Sequence, residues 1–296
     1  MDNRGQVGWD EKVWASIDKA VHDEIERTTI ARKFLPLYMG MADANVVPAD
    51  TVTENVSPLE VDPSKQTAII EARVPFALTQ EQVNKEAQLG TALTLATRAA
   101  NLLSQVEDLI LFQGKSALNN ILIKGGGAGI PPKVIVRSNP QDEGLLSGAS
   151  TIDVPPLDPV VPGVYGENTF KAVAQAYSDL QGRGHYGPYA LILPTSPYAD
   201  TYAPLKTTLI MPADRIKPLV SAGFFGTGTL PTGTQNTKAT GILLSIGGNT
   251  MDLVIGIAAM TLVLQFGVDK RYQFEVFERF ALRFKDTTAA VKLLFQ

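Results

Sequence analysis

The amino-acid sequence predicts an α+β protein, on three observations. Apolar side chains recur at three- and four-residue spacing near the start of the chain and again over residues 80 to 113, the pattern of amphipathic helices. Residues 272 to 286, YQFEVFERFALRFKD, instead place Phe274, Val276, Glu278, Phe280 and Leu282 in strict alternation with Gln273, Glu275, Phe277, Arg279 and Ala281, the period of a strand. Long helices early and the strongest extended signals at the end make a mixed protein rather than a bundle or a sandwich.

Each element follows from local pattern. Between Trp9 and Phe34, the stripe Val13, Trp14, Ile17, Val21 and Ile25 is separated by Asp10, Glu11, Asp18, Lys19, Glu24 and Glu26, so a helix is expected with one face to bury, against its own domain or a neighbouring subunit. Residues 41 to 68 hold three prolines and no helical period, which predicts an extended hairpin or arm. IIEARVPFAL reads as a strand in which Pro75 demands an edge or a bulge. Residues 80 to 113 predict the longest helix, interrupted only at Gly90 and capped by Gly114. KGGGAGIPPK and residues 138 to 166 read as turns and irregular chain.

A helix over 167 to 181, with Asn168 as candidate N-cap, leads to a buried strand from Tyr189 to Leu193 closed by Pro194, then a short helix from 195. Residues 207 to 240 are rich in Gly, Pro and Thr and read as irregular. Strands are expected at 242 to 246, 251 to 255, 262 to 266, 272 to 286 and in AAVKLLF. No internal repeat is present.

Composition narrows the function. A chain of 296 residues with 45% hydrophobic and 19% charged residues forms one large domain or two smaller ones. A net charge of -4 leaves no electrostatic footprint for sequence-independent nucleic-acid binding, so no nucleic-acid partner is expected. The absence of cysteine excludes disulfides, thiolate metal sites and thiol nucleophiles. The polar, acidic start MDNRGQVGWDEKVW is unlike a secretory signal, and AVKLLFQ is far shorter than the roughly 20 apolar residues a spanning helix needs, so a soluble, unexported chain without a membrane partner is expected.

Searches for chemistry return little. GKS in FQGKSALNN ends like a phosphate-binding loop, but Leu109 stands where that motif needs glycine and the preceding segment is helical. GGGAG at 125 to 129 runs into IPPK, which prevents a clean helix start behind it. His22 and His185 cannot form a metal cluster by themselves. Glu107 and Asp108, adjacent on a helix, are expected on a solvated edge or in an intersubunit salt bridge. GRGHYGPYALILPTSPYADTY, residues 182 to 202, would as an active-site loop use His185 as base, Asp200 as its orienter and Ser196 as nucleophile. Ser196 lacks the glycine-flanked elbow of a hydrolase, so a turn, a core strand and packing tyrosines are the expectation, and no catalytic residue is assigned.

Taken together, several segments resemble one family, the encapsulins, shell proteins with the capsid fold of phage HK97. The early helix with Trp14, Ile17 and Asp18 followed by ARKF at 31 to 34, IIEARVPFAL leading into a long helix that closes on EDLILFQG, GHYGPYALILPTSPY, GNTMDLVIGIAAM, and the aromatic-rich final strand carrying Glu278 follow the family's order. The resemblance implies an N-terminal helix and arm over 1 to 40, an extended loop over 41 to 76, a peripheral domain from 77 to 165 and 262 to 296, and an axial domain from 166 to 261. It also implies a cytoplasmic, icosahedral nanocompartment of pentamers, or of pentamers and hexamers, around cargo enzymes of peroxidase or ferritin-like, iron-storing type, each held by a C-terminal targeting peptide. By the same resemblance the peptide docks at Trp14, Ile17 and Arg32, the last at the edge of an apolar groove. A pore loop within 207 to 234 carries Asp214, Arg215 and Lys217. The sequence departs from the family where Pro36 and Leu37 replace an acidic position. Some members bind flavin against an aromatic near the start of the long helix; LTQEQV has none, so no cofactor is expected. A phage or prophage major capsid protein and a hydrolase using His185 and Asp200 are the alternative readings.

Overall fold

The computed structural model describes residues 3–296 except 53–57, 127–129, 139, 141–143, 149, 159–163, 205–208, 235–236 and 268–269. In chain order its elements are α1 (Glu11–Thr28), β1 (Leu37–Met39), β2 (Val46–Pro48), β3 (Gln66–Ala68), β4 (Ile70–Thr79), α2 (Gln80–Asn84), α3 (Glu86–Leu89), α4 (Thr91–Gln113), α5 (Ile121–Lys124), β5 (Ile135–Arg137) and β6 (Ser150–Val154). They continue with α6 (Glu167–Gly182), β7 (Tyr189–Pro194), α7 (Thr195–Asp200), α8 (Pro212–Ile216), β8 (Gly223–Thr227), β9 (Thr232–Thr234), β10 (Thr237–Ser245), β11 (Met251–Phe266), β12 (Arg271–Phe284) and β13 (Ala290–Phe295).

Two sheets organise the chain. The first has the order β1-β11-β12-β4-β5, and α1 and α4 cover one of its faces. Trp14, Ile17, Val21 and Ile25 of α1 meet Leu103 and Val106 of α4 and Phe274, Val276 and Phe280 of β12 in one core. Apart from the half-buried Val13, the stripe read from the sequence is thus buried within this subunit. The second sheet has the order β6-β13-β10-β7-β8, with β9 on β10, and α6 packs on it through Val173, Ala176 and Leu180. β7 is buried at every position because it serves two cores: Ala190 and Ile192 join the first, Leu191 and Leu193 the second. That is why ALIL is a continuous apolar run rather than an alternating one.

The arm is a thin ribbon. β2 and β3 pair antiparallel, a bridge joins Val52 to Val61, and Val46, Val52, Leu59 and Val61 are exposed. Residues 53–57 of the expected extended loop, and 127–129 of GGGAG, lie outside the described residues. Pro75 pairs in register with Glu275, while β5 covers β4 only at Glu71, Ala72 and Arg73. Beyond β5 this part of β4 is an edge, which accommodates a residue without an N–H.

Several expectations are corrected. The helix of 80 to 113 is three helices. Thr79 and Gln82 form a capping box that starts α2, the chain kinks at Lys85, and Gly90 adopts a left-handed conformation with φ 59°. The buried Glu86 carboxylate accepts from the N–H groups of Ala92 at 2.7 Å and Leu93 at 3.0 Å, satisfying donors that the break leaves open. Gly114 does close α4, its N–H donating to the Ile110 carbonyl. α6 is capped by Gly166, not Asn168, which lies in the first turn and holds the carbonyls of Pro155 and Pro156. The segments 251 to 255 and 262 to 266 are one strand, β11, whose register shifts after Ile255, Ile257 and Val263 erase the period in between. The last strand leaves the first sheet: a turn at Asp286, whose side chain accepts from Thr288 N, sends β13 between β10 and β6. The residues 207 to 240, read as irregular, contain α8, β8, β9 and the start of β10.

Candidate docking and assembly site

Three places receive the residues singled out in the sequence. The first lies where the turn after α1 meets α4 and β12. Arg32, whose side chain is 5% exposed, donates from Nε to Glu107 Oε1 at 3.0 Å, from Nη2 to Glu107 Oε2 at 3.0 Å, and from Nη2 to Glu278 Oε1. Glu26 Oε1 lies 3.7 Å from Arg32 Nη1, and Thr29 Oγ1 donates to Glu107. Beside them the Asp108 carboxylate accepts from the N–H groups of Ile30 and Ala31, both at 2.9 Å.

Glu107 and Asp108 are therefore not a solvated edge: both are buried, and each fixes the end of α1. Adjacent residues on a helix do point apart, but here both directions lead into protein, because the turn after α1 wraps over α4. Two carboxylates share one guanidinium, and Glu278 Oε2 is buried without a hydrogen-bond partner among the described residues. Burial, then the Glu107 charge, pushes the Glu278 carboxyl up to about 8 against the pull of Arg32. Burial also raises Glu107 and lifts Asp108 to about 7 despite its two backbone donors. Burial opposes the charge on Arg32, yet Glu107 and Glu278 together hold its pKa above the ordinary value. One signal of this node was legible: Glu278 occupies the apolar register of β12, and a carboxylate there needs a buried partner.

The second place is the solvent side of α1. A groove of about 490 Å³ runs between α1 and residues 86–93, with Val13, Ile17, Leu89 and Leu93 as its apolar lining and Asp10 and Lys12 at the rim. Leu89 is 58% exposed. Ile17 thus lies on a groove as its floor. Trp14 borders a separate depression with Arg4, Val7 and Trp9; its ring packs on Trp9 at 4.8 Å and under the Arg4 guanidinium at 4.6 Å. Arg32 lines neither, because the two buried glutamates hold it.

The third place is α8. Asp214 and Arg215 sit on this helix and Lys217 on the turn after it, where a loop was expected. Pro212 at the first helical position pre-sets the backbone and starts the helix. Arg215 is bound to Glu167 at 2.6 Å and lies 3.8 Å over the Phe170 ring; Lys217 lies over Tyr202; Asp214 is exposed.

The hydrolase constellation is not assembled. His185 Nε2 lies 2.9 Å from Thr288 Oγ1, whereas Asp200 accepts from the backbone N–H groups of Tyr165 and Gly166, and Ser196 is exposed on α7. Among the described residues no group of three or more His, Asp or Glu is placed to hold a metal ion, and no helix is long and apolar enough to cross a membrane.

Comparison with known proteins bears on the whole chain. The Linocin_M18 family, described as encapsulating protein for peroxidase, matches residues 2–125 and 143–280. The type 1 encapsulin shell protein EncA of Myxococcus xanthus (strain DK1622) is 25% identical over 96% of this chain and 92% of its own length. A diheme-cytochrome-encapsulin shell fusion protein of Kuenenia stuttgartiensis is 24% identical over 85% of this chain, which spans 64% of that longer protein. Among solved structures, the virus-like particle from Pyrococcus furiosus superposes with a TM-score of 0.68 at 18% identity, covering 96% of this chain and all of the other, and the capsid of Myoviridae phage XM1 with 0.57 at 12% identity, covering 91% and 92%. With a family match over most of its length and the HK97 capsid fold throughout, the chain belongs to the encapsulin family and is an encapsulating shell protein.

Proposed function

We propose that this chain closes into an icosahedral compartment, of pentamers or of pentamers and hexamers, around a cargo enzyme carrying a C-terminal targeting peptide. The observation that carries the docking part is the groove beside α1. Val13, Leu89 and Leu93 offer apolar contacts above a floor closed by the buried Ile17, and the rim charges Asp10 and Lys12 favour a peptide whose apolar side chains are spaced by polar ones. The docking set is therefore Ile17 with Val13, Leu89 and Leu93, while Trp14 and Arg32 act behind it by fixing α1.

In this reading the body built on the first sheet is the peripheral domain, the body built on the second sheet the axial domain, and the β2-β3 ribbon the extended loop. β13 belongs with the axial sheet by its pairing and β11 with the peripheral one. Asp214 and Arg215 on α8 and Lys217 on the turn after it, all three exposed, are the candidate pore residues; Arg215 is tied to Glu167 and Phe170 and Lys217 lies over Tyr202, whereas no such contact holds Asp214 among the described residues. The shell works in the cytoplasm without catalysis of its own, and its cargo is a peroxidase or a ferritin-like iron-storing protein. The test is electron microscopy of the protein expressed together with the peroxidase or ferritin-like protein of its gene neighbourhood. Closed, filled shells support the reading. Filling that survives removal of the cargo's C-terminal residues defeats the docking part.

A further inference from the structure

The arm leaves the body at two points, and an arginine of β12 holds each. Arg279 donates from Nη1 to the Ala42 carbonyl, and from Nη2 to the Ala44 carbonyl at 2.6 Å and to Asn45 Oδ1 at 3.2 Å, so one guanidinium closes on the outgoing chain. Four residues on, Arg283 faces two ways. Its Nε and Nη2 bind the Asp252 carboxylate of β11, each at 2.7 Å, while Nη1 donates to Asp50, the residue at which the arm departs after β2. Asp252 also takes Lys285 at 2.7 Å, so the body side of this contact is a buried three-membered ion cluster. Residues i and i+4 of a strand share a face, so the spacing of Arg279 and Arg283 matches that of the two points of departure.

Backbone geometry marks the same two points. Met41 and Asp50 both adopt positive φ, 67° and 52°, a region that side-chain-bearing residues rarely occupy. Between them a small core of Val47, Ile69, Val254 and Ala281 seats the base of the ribbon. Beyond Asp50 the ribbon carries exposed Val52, Leu59 and Val61 and is too thin to hold a direction in water.

We infer that Arg279 and Arg283 are positioning residues for assembly, which set the angle at which the arm projects and hence where its exposed Val52, Leu59 and Val61 meet a second copy of this chain. The inference rests on the shell reading for its consequence but not for the latch itself. A subunit whose arm direction is fixed before association presents one contact geometry to its neighbours; a subunit with a free arm presents many and closes shells of mixed size.

Asp50→Asn and Arg279→Gln, alone and together, test this in the full chain. Asp50 is 38% exposed at its side chain and Arg283 keeps Asp252, so the body stays folded. Amide hydrogen exchange over residues 42–52 is expected to quicken about tenfold or more in the double variant, the size expected for losing a hydrogen bond to a charged group, with exchange in β11 and β12 unchanged. Electron microscopy is expected to show a broadened distribution of particle diameters or unclosed assemblies. Unchanged exchange in the double variant overturns the latch. Quickened exchange with wild-type particle diameters overturns its role in assembly. A wild-type protein that forms no particles defeats the shell reading, while exchange on the free subunit still decides the latch.

Discussion

Arg32, on the turn after α1, donates to Glu278 in the middle of β12, 246 residues further along the chain, and shares its guanidinium with Glu107 of α4. Three elements distant in sequence are thus tied at one buried point. Removing the cation leaves two carboxylates in an apolar interior, which costs far more than the pair itself contributes. Arg32→Ala is expected to lose about 3–5 kcal/mol of stability, or to fail to accumulate as soluble protein. Urea unfolding of dissociated subunits measures it, and a loss no larger than that of an exposed arginine would contradict the assigned role.

The same node predicts a pH dependence. The carboxyls of Glu278, Glu107 and Asp108 are raised in the folded chain, so between the ordinary carboxylate range and about pH 8 the native state binds more protons than the unfolded one. Their contribution is complete below the ordinary carboxylate pKa and is lost as pH rises through about 7 for Asp108 and about 8 for Glu278. Thermal unfolding across this window should show a Tm that falls as pH rises to about 8 and levels off above it; Glu278→Gln, which keeps the shape of the protonated acid, should flatten the fall. An equal slope in both proteins would place the titrating group elsewhere.

Docking and folding roles on α1 separate by substitution. Leu89→Glu places a charge at the mouth of the groove, on a side chain that is already largely exposed, and should abolish cargo loading with shells intact. Trp14→Ala removes a buried ring and should cost about 3–5 kcal/mol, lowering shell yield before it affects loading per shell. The ratio of cargo to shell protein in purified particles distinguishes the two, and a Leu89→Glu shell that loads normally would rule out this groove.

His185→Ala removes a contact to Thr288 next to the turn that redirects β13, worth about 1 kcal/mol. Assembly and loading should persist with Tm lowered by a few degrees at most. Intact, loaded shells with lost cargo turnover would instead return His185 to a chemical role.

Patterns within reach of a few residues settled much of this protein from the sequence alone. The stripe of α1, the alternation of β12, the buried run of β7 and the cap at Gly114 are each written in local spacing, because helix and strand expose their faces with fixed periods. Glu278 was legible as an anomaly, a carboxylate in an apolar register. What the tertiary structure decided depends on contacts between segments far apart in the chain. The bulges of β11 hide a single strand behind two apparent ones. A turn at Asp286 moves β13 to the other sheet. Glu107 and Asp108 look solvent-facing on their own helix and are buried because the turn after α1 covers them, and Arg32 lies outside the groove because it is held by Glu107 and Glu278. Arg279, Arg283 and Asp50 carry no motif at all; burial and pairing across the base of the arm give them their role, and those arise only when distant segments pack.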